Sequence, residues 1–396
     1  MSPDRRLRSK RARLAAVTPV YAGFLFCGAA TVLLGLLLPR LAALHHVSDS
    51  QCGALLTVQF GASASGALLV RRRYAATLVT GYLLMAASAL SLPLGLGVAI
   101  VPAIAVLGVG LGMAMTSTSL LVGRLFPRNC GSALSLLNFF WSLGATLCPF
   151  AVAPLPARFL LATVATPIAL LACAFSVAVV PGARFASARF VSAADAPVAA
   201  RPTDAPLAIL IPFAAIAFLY VGAEASVGAW MSTYAGRALP WNFARCNLAA
   251  GCFCAMLLLG RGVTPLLLCR IRETQLHRIS VAGTIAGVLL LVSAHGPLTL
   301  LAGAASSGLA LAPIFPLTLS LFLDRVGQAP NAGWVFAAAG YGGMVFPLLA
   351  GMISSGTHSL RVGLLVALAA VMGILPLTSG ISVPARAELK SAPART

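Results

Sequence analysis

Residues 218–234 of this chain read FLYVGAEASVGAWMSTY, an apolar stretch that carries one acidic side chain, Glu224. An unpaired charge in hydrocarbon costs on the order of 3 kcal/mol or more, so such a carboxylate persists where it faces a cavity or a partner. At helical spacing, Tyr220, Glu224 and Tyr234 fall on one stripe. The stretch therefore predicts a membrane-spanning helix with a functional carboxylate at its centre.

The surroundings of Glu224 suggest two roles for it. A carboxylate between the phenols of Tyr220 and Tyr234 and close to Trp230 suits a hydroxyl-rich, ring-shaped solute. The alternative is that Glu224 pins two helices together without touching a solute.

The composition is that of a polytopic membrane protein. The chain has 396 residues, of which 60% are hydrophobic and 9% are charged, whereas soluble domains are about a quarter charged. The net charge of +19 lies in short basic tracts between apolar segments, which is a membrane-topology signal and not that of a nucleic-acid-binding protein. The basic stretch 5–13 precedes an apolar run too long for a signal peptide, which predicts an uncleaved first helix.

No pattern for catalysis or metal binding occurs in the sequence. The nine cysteines lie mostly within apolar segments and form no CxxC pair with histidine partners, so they are interpreted as small packing residues. His277 is placed in a cytoplasmic loop and receives no chemical role. We expect no metal, no cofactor and no enzymatic activity.

Apolar runs of about 20 residues predict twelve transmembrane helices. A Pro/Ala/Ser-rich linker at 181–206 divides them into a six-helix bundle at 1–180 and a second at 207–396. The expected spans are 15–38, 52–70, 74–95, 98–122, 131–154, 158–180, 207–234, 243–267, 278–295, 297–322, 332–354 and 360–380.

The basic residues predict the orientation. With these spans, 21 of the 27 basic residues fall on one side, five on the other, and Arg261 within a span. This asymmetry places both termini in the cytoplasm. The composition is rich in Ala and Arg and poor in Lys, as in a GC-rich bacterial gene, which predicts the inner membrane.

An internal repeat supports two related bundles. The sequence FLFCGA at 24–29 matches FLYVGA at 218–223, and the glycines at 144 and 342 recur at nearly the same offset, about half the chain. Parallel repeats are a common device of transporters, with the solute site between the halves near the membrane midplane.

The whole chain resembles the major facilitator superfamily. The loop after span 2 reads Gly66-Ala67-Leu68-Leu69-Val70-Arg71-Arg72-Arg73, which keeps the basic part of that family's signature and has Val70 near its acidic position. The resemblance implies two pseudo-symmetric six-helix bundles, alternating access, a monomer, and a gating role for Arg71, Arg72 and Arg73.

Two stretches are similar to the fucose–galactose–glucose permease group. These are Tyr220-x-Gly222-x-Glu224, followed by Trp230 and Tyr234, and the segment 136–145 in span 5. The resemblance implies a sugar as solute. Proton-linked members commonly use a further acidic residue in span 1 or span 4, which is absent here, so Glu224 is the sole candidate for protonation.

Four more residues are candidates for the solute site. Asn138 and Trp141 share one face of span 5, where an amide can bond hydroxyls and an indole can stack under a sugar ring. Gln59 in span 2 and Tyr341 in span 11 are further candidates. Interhelical bonding and packing are the alternative roles for these side chains.

The leading functional hypothesis is a secondary transporter of a small polar solute, a sugar above all, that co-transports a proton or works as a facilitator in the lipid bilayer. The first alternative is a proton-linked efflux carrier for lipophilic compounds, since Gly144 to Pro149 is a degenerate form of an efflux signature with Cys148 in place of a glycine. A solute receptor that does not transport is the other alternative.

Overall fold

A computed structural model describes most of the chain as α-helix. It covers residues 3–45, 47–70, 74–91, 100–126, 130–152, 168–180, 204–326, 329, 331 and 333–380. The predicted gating residues Arg71, Arg72 and Arg73 lie outside the described residues, as does most of the predicted linker at 181–206.

The helices are numbered in chain order. They are α1 (Pro3–His45), α2 (Asp49–Leu68), α3 (Tyr74–Ser91), α4 (Ile100–Leu125), α5 (Cys130–Val152), α6 (Ile168–Val180), α7 (Leu207–Ala238), α8 (Phe243–Leu268), α9 (Glu273–Val292), α10 (Pro297–Leu311), α11 (Ile314–Val326), α12 (Gly333–Thr357), α13 (Leu360–Gly363) and α14 (Leu365–Gly380).

These helices form twelve segments, because α10 with α11 and α13 with α14 are each two parts of one apolar segment. Among the described residues, nine segments are long and apolar enough to cross a membrane. The other three are α2, α5 and α6, of which the described apolar parts of α5 and α6 are shorter. The predicted all-α, twelve-helix fold is confirmed, and the chain is an integral membrane protein.

Local sequence explains several helix ends. Ser48 caps α2 through a capping box with Gln51, which satisfies backbone N–H groups that the helix leaves free. Pro313 lies between α10 and α11, where its missing N–H interrupts the helix that the sequence predicted as one span. His358, with φ of 54°, follows the end of α12.

The two bundles repeat the same glycine packing. In the first bundle, a Cβ on Gly144 of α5 would collide with the carbonyl oxygen of Leu25 in α1. In the second, a Cβ on Gly342 of α12 would collide with the carbonyl oxygen of Phe218 in α7. These contacts join the repeated segments 24–29 and 218–223 to their partner helices, so the repeat in the sequence corresponds to a repeated helix–helix contact.

The glycine run of α4 serves close packing within the first bundle. A Cβ on Gly108 or Gly112 would meet backbone oxygens of α2, and one on Gly110 would meet the backbone of α3. Glycine at these positions therefore allows α4 to approach two neighbours at once, as small residues do in membrane helices.

Within the described residues, the most extensive contacts between the bundles are made by three helix pairs, which are α2 with α12, α5 with α8, and α1 with α7. At one end of the molecule, hereafter the Asp49 end, α1 and α7 finish and α2 and α8 begin. The opposite end, where α2 finishes and α12 begins, is hereafter the Leu68 end. The space left between the three pairs is the central cavity.

Candidate functional site

A cavity of about 200 Å³ lies between the two bundles. Its lining runs from the middle of α1 and α7 towards the Leu68 end, where α2, α4, α5, α11 and α12 contribute. Most lining side chains are apolar, as is usual in small-molecule sites, and a few polar groups converge on the space. The polar side chains are Thr31, Gln59, Ser63, Thr116, Ser119, Asn138, Trp141, Tyr220, Glu224 and Arg261.

The centre of the cavity wall holds an ion pair between Arg261 of α8 and Glu224 of α7. Nη2 of Arg261 lies 3.2 Å from Oε1 and 3.4 Å from Oε2 of Glu224. Side-chain exposure is 4% for the arginine and 13% for the glutamate. Glu224 thus satisfies the expectation for a carboxylate at membrane depth, since it faces both a cavity and a partner.

Arg261 also joins the two bundles. Its Nη1 donates a hydrogen bond to Oγ of Ser142 in α5, at 2.5 Å, and Ser142 in turn donates to the carbonyl oxygen of Asn138. The guanidinium carbon lies 5.1 Å from the centroid of the Trp141 ring, within the range of a cation–π contact. One cation of the second bundle therefore holds a hydroxyl and an indole of the first.

Tyr220 completes this cluster. Its hydroxyl accepts a hydrogen bond of 3.2 Å from Nη2 of Arg261, and its ring stacks on Phe315 of α11 with centroids 5.6 Å apart. The side chain is almost fully buried, so its orientation is fixed by packing as well as by the arginine. Tyr220, Glu224 and Arg261 form one polar cluster on the second bundle.

Three predicted residues of the first bundle line the same cavity. Nε2 of Gln59 donates to the carbonyl oxygen of Thr31 at 3.0 Å, and Nδ2 of Asn138 donates to the carbonyl oxygen of Leu134 at 2.9 Å. Within the described structure, Oε1 of Gln59 and Nε1 of Trp141 have no hydrogen-bond partner. An unbonded acceptor and an unbonded donor are thus buried at the cavity wall of the first bundle.

Trp230 and Tyr234 lie outside the cavity lining. Nε1 of Trp230 donates to the carbonyl oxygen of Pro347, and the hydroxyl of Tyr234 donates to that of Leu291, each at 3.0 Å. The reason is helix rise, because Tyr234 is ten residues beyond Glu224 and therefore about 15 Å further along α7. The predicted stripe is present, but the part of α7 nearest the Asp49 end packs against α9 and α12.

Tyr341 also points away from the cavity. Its neighbours Ala339 and Gly340 line the space, whereas Tyr341 is 36% exposed and is absent from the lining. One residue along a helix rotates a side chain by about 100°, which carries Tyr341 off the lining face.

The Asp49 end of the molecule is closed by contacts between the bundles. Arg237 of α7 binds both carboxylate oxygens of Asp49 in α2, at 2.5 and 2.6 Å, and Ser354 of α12 donates to the same carboxylate at 2.6 Å. The backbone N–H of Ser50 donates to Oγ of Ser355 at 3.0 Å. We call these contacts the Asp49 latch.

Arg261 is the site residue that the sequence reasoning missed. The sequence places it within a span and suggests no partner for it. A useful signal was present, since a basic residue inside a span is as costly as an acidic one and each charge needs the other. The pairing itself depends on how α7 and α8 face each other.

Solved structures with the same fold come from transporters. The chain matches a crystal structure described as a major facilitator superfamily transporter, FucP, in the outward conformation, with a TM-score of 0.63 and 17% identity. The match covers 94% of this chain and 100% of the other. This chain has the major facilitator fold.

A variant of the E. coli fucose:proton symporter FucP gives a similar result. Its TM-score is 0.61 at 17% identity, with the same coverage of both chains. No family model and no curated protein matches the sequence of the chain. At this identity the likeness concerns the fold, and the chemistry of the site has to be argued from its own residues.

Proposed function

We propose that this protein is a secondary transporter that moves a small polar solute, of the sugar class, through the central cavity by alternating access. The observation that carries the proposal is the position of Arg261, which contacts Glu224 and Tyr220 of its own bundle and Ser142 of the other. A solute that competes for this cluster changes the contacts between the bundles, which is what coupling of binding to rocking requires.

The lining favours a hydroxylated ring. Trp141 and Phe315 offer aromatic surface, while Gln59, Asn138 and Tyr220 offer amide and hydroxyl groups that bond hydroxyls. One solved structure with this fold is described as that of a fucose:proton symporter, and fucose is a hydroxylated ring. For the present chain we therefore propose a sugar or a close relative of a sugar.

We also propose that the cycle uses a proton at Glu224. In the described part of the cavity lining, Glu224 is the acidic residue, and it forms an ion pair with Arg261. A proton on Glu224 removes half of the ion pair, which changes the affinity of Arg261 for a solute. The driving force in this scheme is an ion or solute gradient, and no chemical reaction takes place.

We infer the bounds of the two bundles and the orientation of the chain in the membrane from the sequence. We propose bundles at 1–180 and 207–396 joined by a cytoplasmic linker at 181–206, in a monomer of the inner membrane with both termini in the cytoplasm. In that orientation the Asp49 latch closes the outer side, and the cavity lining extends towards the cytoplasm.

The second candidate is an efflux carrier for lipophilic compounds. Most of the side chains around the cavity are apolar, including Phe24, Phe60, Phe253 and Phe336, and this surface favours a lipophilic solute. The central ion pair argues for the polar solute, since a lipophilic compound, even a cation that pairs with Glu224, leaves the charge of Arg261 without a partner.

Entrance counterflow in proteoliposomes separates these functions. Vesicles preloaded with each of a panel of unlabelled hexoses, hexose acids or lipophilic cations receive the matching labelled compound, without an ion gradient. The proposal expects transient accumulation of a sugar-class compound that Asn138→Ala reduces. Accumulation of a lipophilic cation alone favours the efflux carrier, and binding without flux of any compound favours a receptor.

A further inference from the structure

The charges of the cavity lining balance in the empty protein. Among the described lining residues, Arg261 and Glu224 carry the charges, and Tyr220 and Cys254 are the other titratable groups that face Glu224. An arginine stays charged at any ordinary pH, whereas a carboxyl group can accept a proton. Protonation of Glu224 therefore leaves the cavity with one unbalanced positive charge.

Within the described structure, that positive charge has no other anionic partner. The remaining groups around Arg261 are the hydroxyls of Ser142 and Tyr220 and the indole of Trp141, which are neutral. Arg261 is 5% exposed, so water compensates little of its charge. A buried charge whose counter-ion is removed is strongly disfavoured. A neutral solute cannot balance the charge of Arg261, whereas an anionic solute can.

The free atoms of Arg261 indicate where the anion binds. Its Nε is buried and has no hydrogen-bond partner within the described structure, while the neighbouring Nη2 donates to Glu224 and Tyr220. Nε and Nη2 form one edge of the guanidinium, which matches the two oxygens of a carboxylate. Release of Nη2 by a protonated Glu224 would free that edge for a bidentate contact.

We propose that the solute carried with a proton is a monocarboxylated sugar, a hexuronate or hexonate, whose carboxylate replaces Glu224 as the counter-ion of Arg261. This inference rests on the proposed function and narrows its solute class. Oε1 of Gln59 and Nε1 of Trp141 are buried at the cavity wall without a hydrogen-bond partner in the described structure, and in the proposed complex both turn to bond hydroxyls of the solute. The solute is thus bound by both bundles at once.

The charge of the solute decides between two transport mechanisms. If the solute is anionic, a proton at Glu224 and the solute enter together as a neutral pair, and uptake follows the proton gradient without net charge movement. If the solute is a neutral hexose, Glu224 stays ionised as the partner of Arg261, and the gradient does not drive uptake through it.

The test compares solutes that differ at one carbon. Proteoliposomes receive labelled D-glucuronate or D-glucose, and in a second pair D-galacturonate or D-galactose, with and without an inwardly directed proton gradient. The hexonates D-gluconate and D-galactonate are measured in the same way. The proposal expects accumulation of at least one of these uronates or hexonates under the gradient, loss of that accumulation in Glu224→Gln, and a reduction of roughly 100-fold in Arg261→Gln.

Two control variants define the specificity of the effect. Arg245→Gln removes an exposed arginine from the other end of α8 and is expected to leave uptake unchanged. Arg261→Lys keeps the positive charge but lacks the Nε–Nη2 edge that binds two oxygens. This variant is expected to retain part of the uronate uptake and to lose the preference for one uronate over another.

The outcomes separate this inference from the proposed function. Gradient-driven uptake of a neutral hexose that Glu224→Gln abolishes overturns the inference and leaves a sugar transporter. Gradient-driven uronate uptake that survives Arg261→Gln also overturns it. Absence of flux for all four sugars and for the corresponding hexonates overturns the sugar-class function as well.

Discussion

Arg261 of α8 lies 3.2 Å from Glu224 of α7 and, through its other terminal nitrogen, donates a hydrogen bond to Ser142 of the opposite bundle. The pair differs from the peripheral pair of Arg237 and Asp49, in which the arginine side chain is 47% exposed. A peripheral pair is largely screened by solvent, whereas the central pair is buried and each charge depends on the other.

The first prediction concerns the stability of the central pair. Glu224→Gln leaves the charge of Arg261 buried, so we expect a loss of about 3–5 kcal/mol in the free energy of unfolding. The double variant Glu224→Gln/Arg261→Gln removes both charges and is expected to lose much less. The measurement is a double-mutant cycle on the free energy of unfolding in detergent, with unfolding followed by near-ultraviolet circular dichroism.

Arg245→Gln on the same helix is the control of that cycle, because its side chain is exposed. We expect it to change stability by less than about 0.5 kcal/mol. Additive losses for the two central substitutions would contradict the account, since additivity means that the two side chains do not interact.

The second prediction concerns the Asp49 latch. Because Arg237 is half exposed, its pair with Asp49 contributes at most about 1 kcal/mol, which is a population change of about fivefold. Arg237→Gln is therefore expected to shift molecules towards opening of the Asp49 end without unfolding them. Spin labels at the exposed positions Ala54 of α2 and Gly356 of α12 report this shift as a longer distance component.

The labelling background for this experiment replaces Cys173 and Cys269, which are exposed, by serine. Arg361→Gln is a matched control, since within the described structure Arg361 bonds the carbonyl oxygen of Ala294 and the ring of His295, both in the second bundle. An unchanged distance distribution in Arg237→Gln would show that the latch does not hold this end closed.

The third prediction concerns the repeated glycine contacts. Gly144→Ala and Gly342→Ala place a Cβ against the carbonyl oxygens of Leu25 and Phe218, so both should destabilise their bundles by typically 1–3 kcal/mol. Gly262→Ala is the control, because its nearest neighbour would be Phe139 at 3.6 Å, an ordinary contact. That change should be neutral or stabilising by up to about 1 kcal/mol. Equal effects at all three positions, read from thermal unfolding, would refute the packing argument.

The fourth prediction separates the cavity residues from the packing residues. Gln59→Ala and Asn138→Ala remove groups that line the cavity, and we expect each to weaken solute affinity by roughly tenfold. Trp230→Phe and Tyr234→Phe remove hydrogen bonds to the carbonyl oxygens of Pro347 and Leu291, and we expect lower stability with unchanged affinity. Half-saturation in counterflow and the unfolding midpoint are the two measurements. Weaker affinity for the Trp230 and Tyr234 variants, with unchanged affinity for the Gln59 and Asn138 variants, would place the solute near the Asp49 end of α7.

Hydrophobic length and charge in the sequence are sufficient to predict the fold. Twelve spans, the repeat and the central place of Glu224 all depend on local patterns, and local patterns set membrane helices. Boundaries are less accurate, because helices extend beyond the apolar core. The ninth span was expected from 278, but α9 begins at Glu273, so His277 lies one turn inside and is buried against Thr318 instead of in a loop.

The site is only partly predictable, because a periodic pattern defines a helix face but not the neighbour of that face. Tyr220, Glu224, Asn138, Trp141 and Gln59 share the cavity, since each lies near the middle of a span. The partner of Glu224 is 37 residues away on α8, and no local pattern specifies that contact. Because a local pattern does not specify neighbours, it also does not distinguish the part of the α7 stripe nearest the Asp49 end from the part that faces the cavity.

The most direct test of the account is solute flux through protein whose bundles are tied together at the Asp49 latch. Ser50→Cys/Ser355→Cys is designed to join α2 to α12 at the point where the backbone N–H of Ser50 donates to Oγ of Ser355. The account predicts that counterflow of the transported sugar-class solute stops on oxidation and returns after reduction, while either single variant is unaffected. Flux that persists in fully cross-linked protein would contradict alternating access through this cavity.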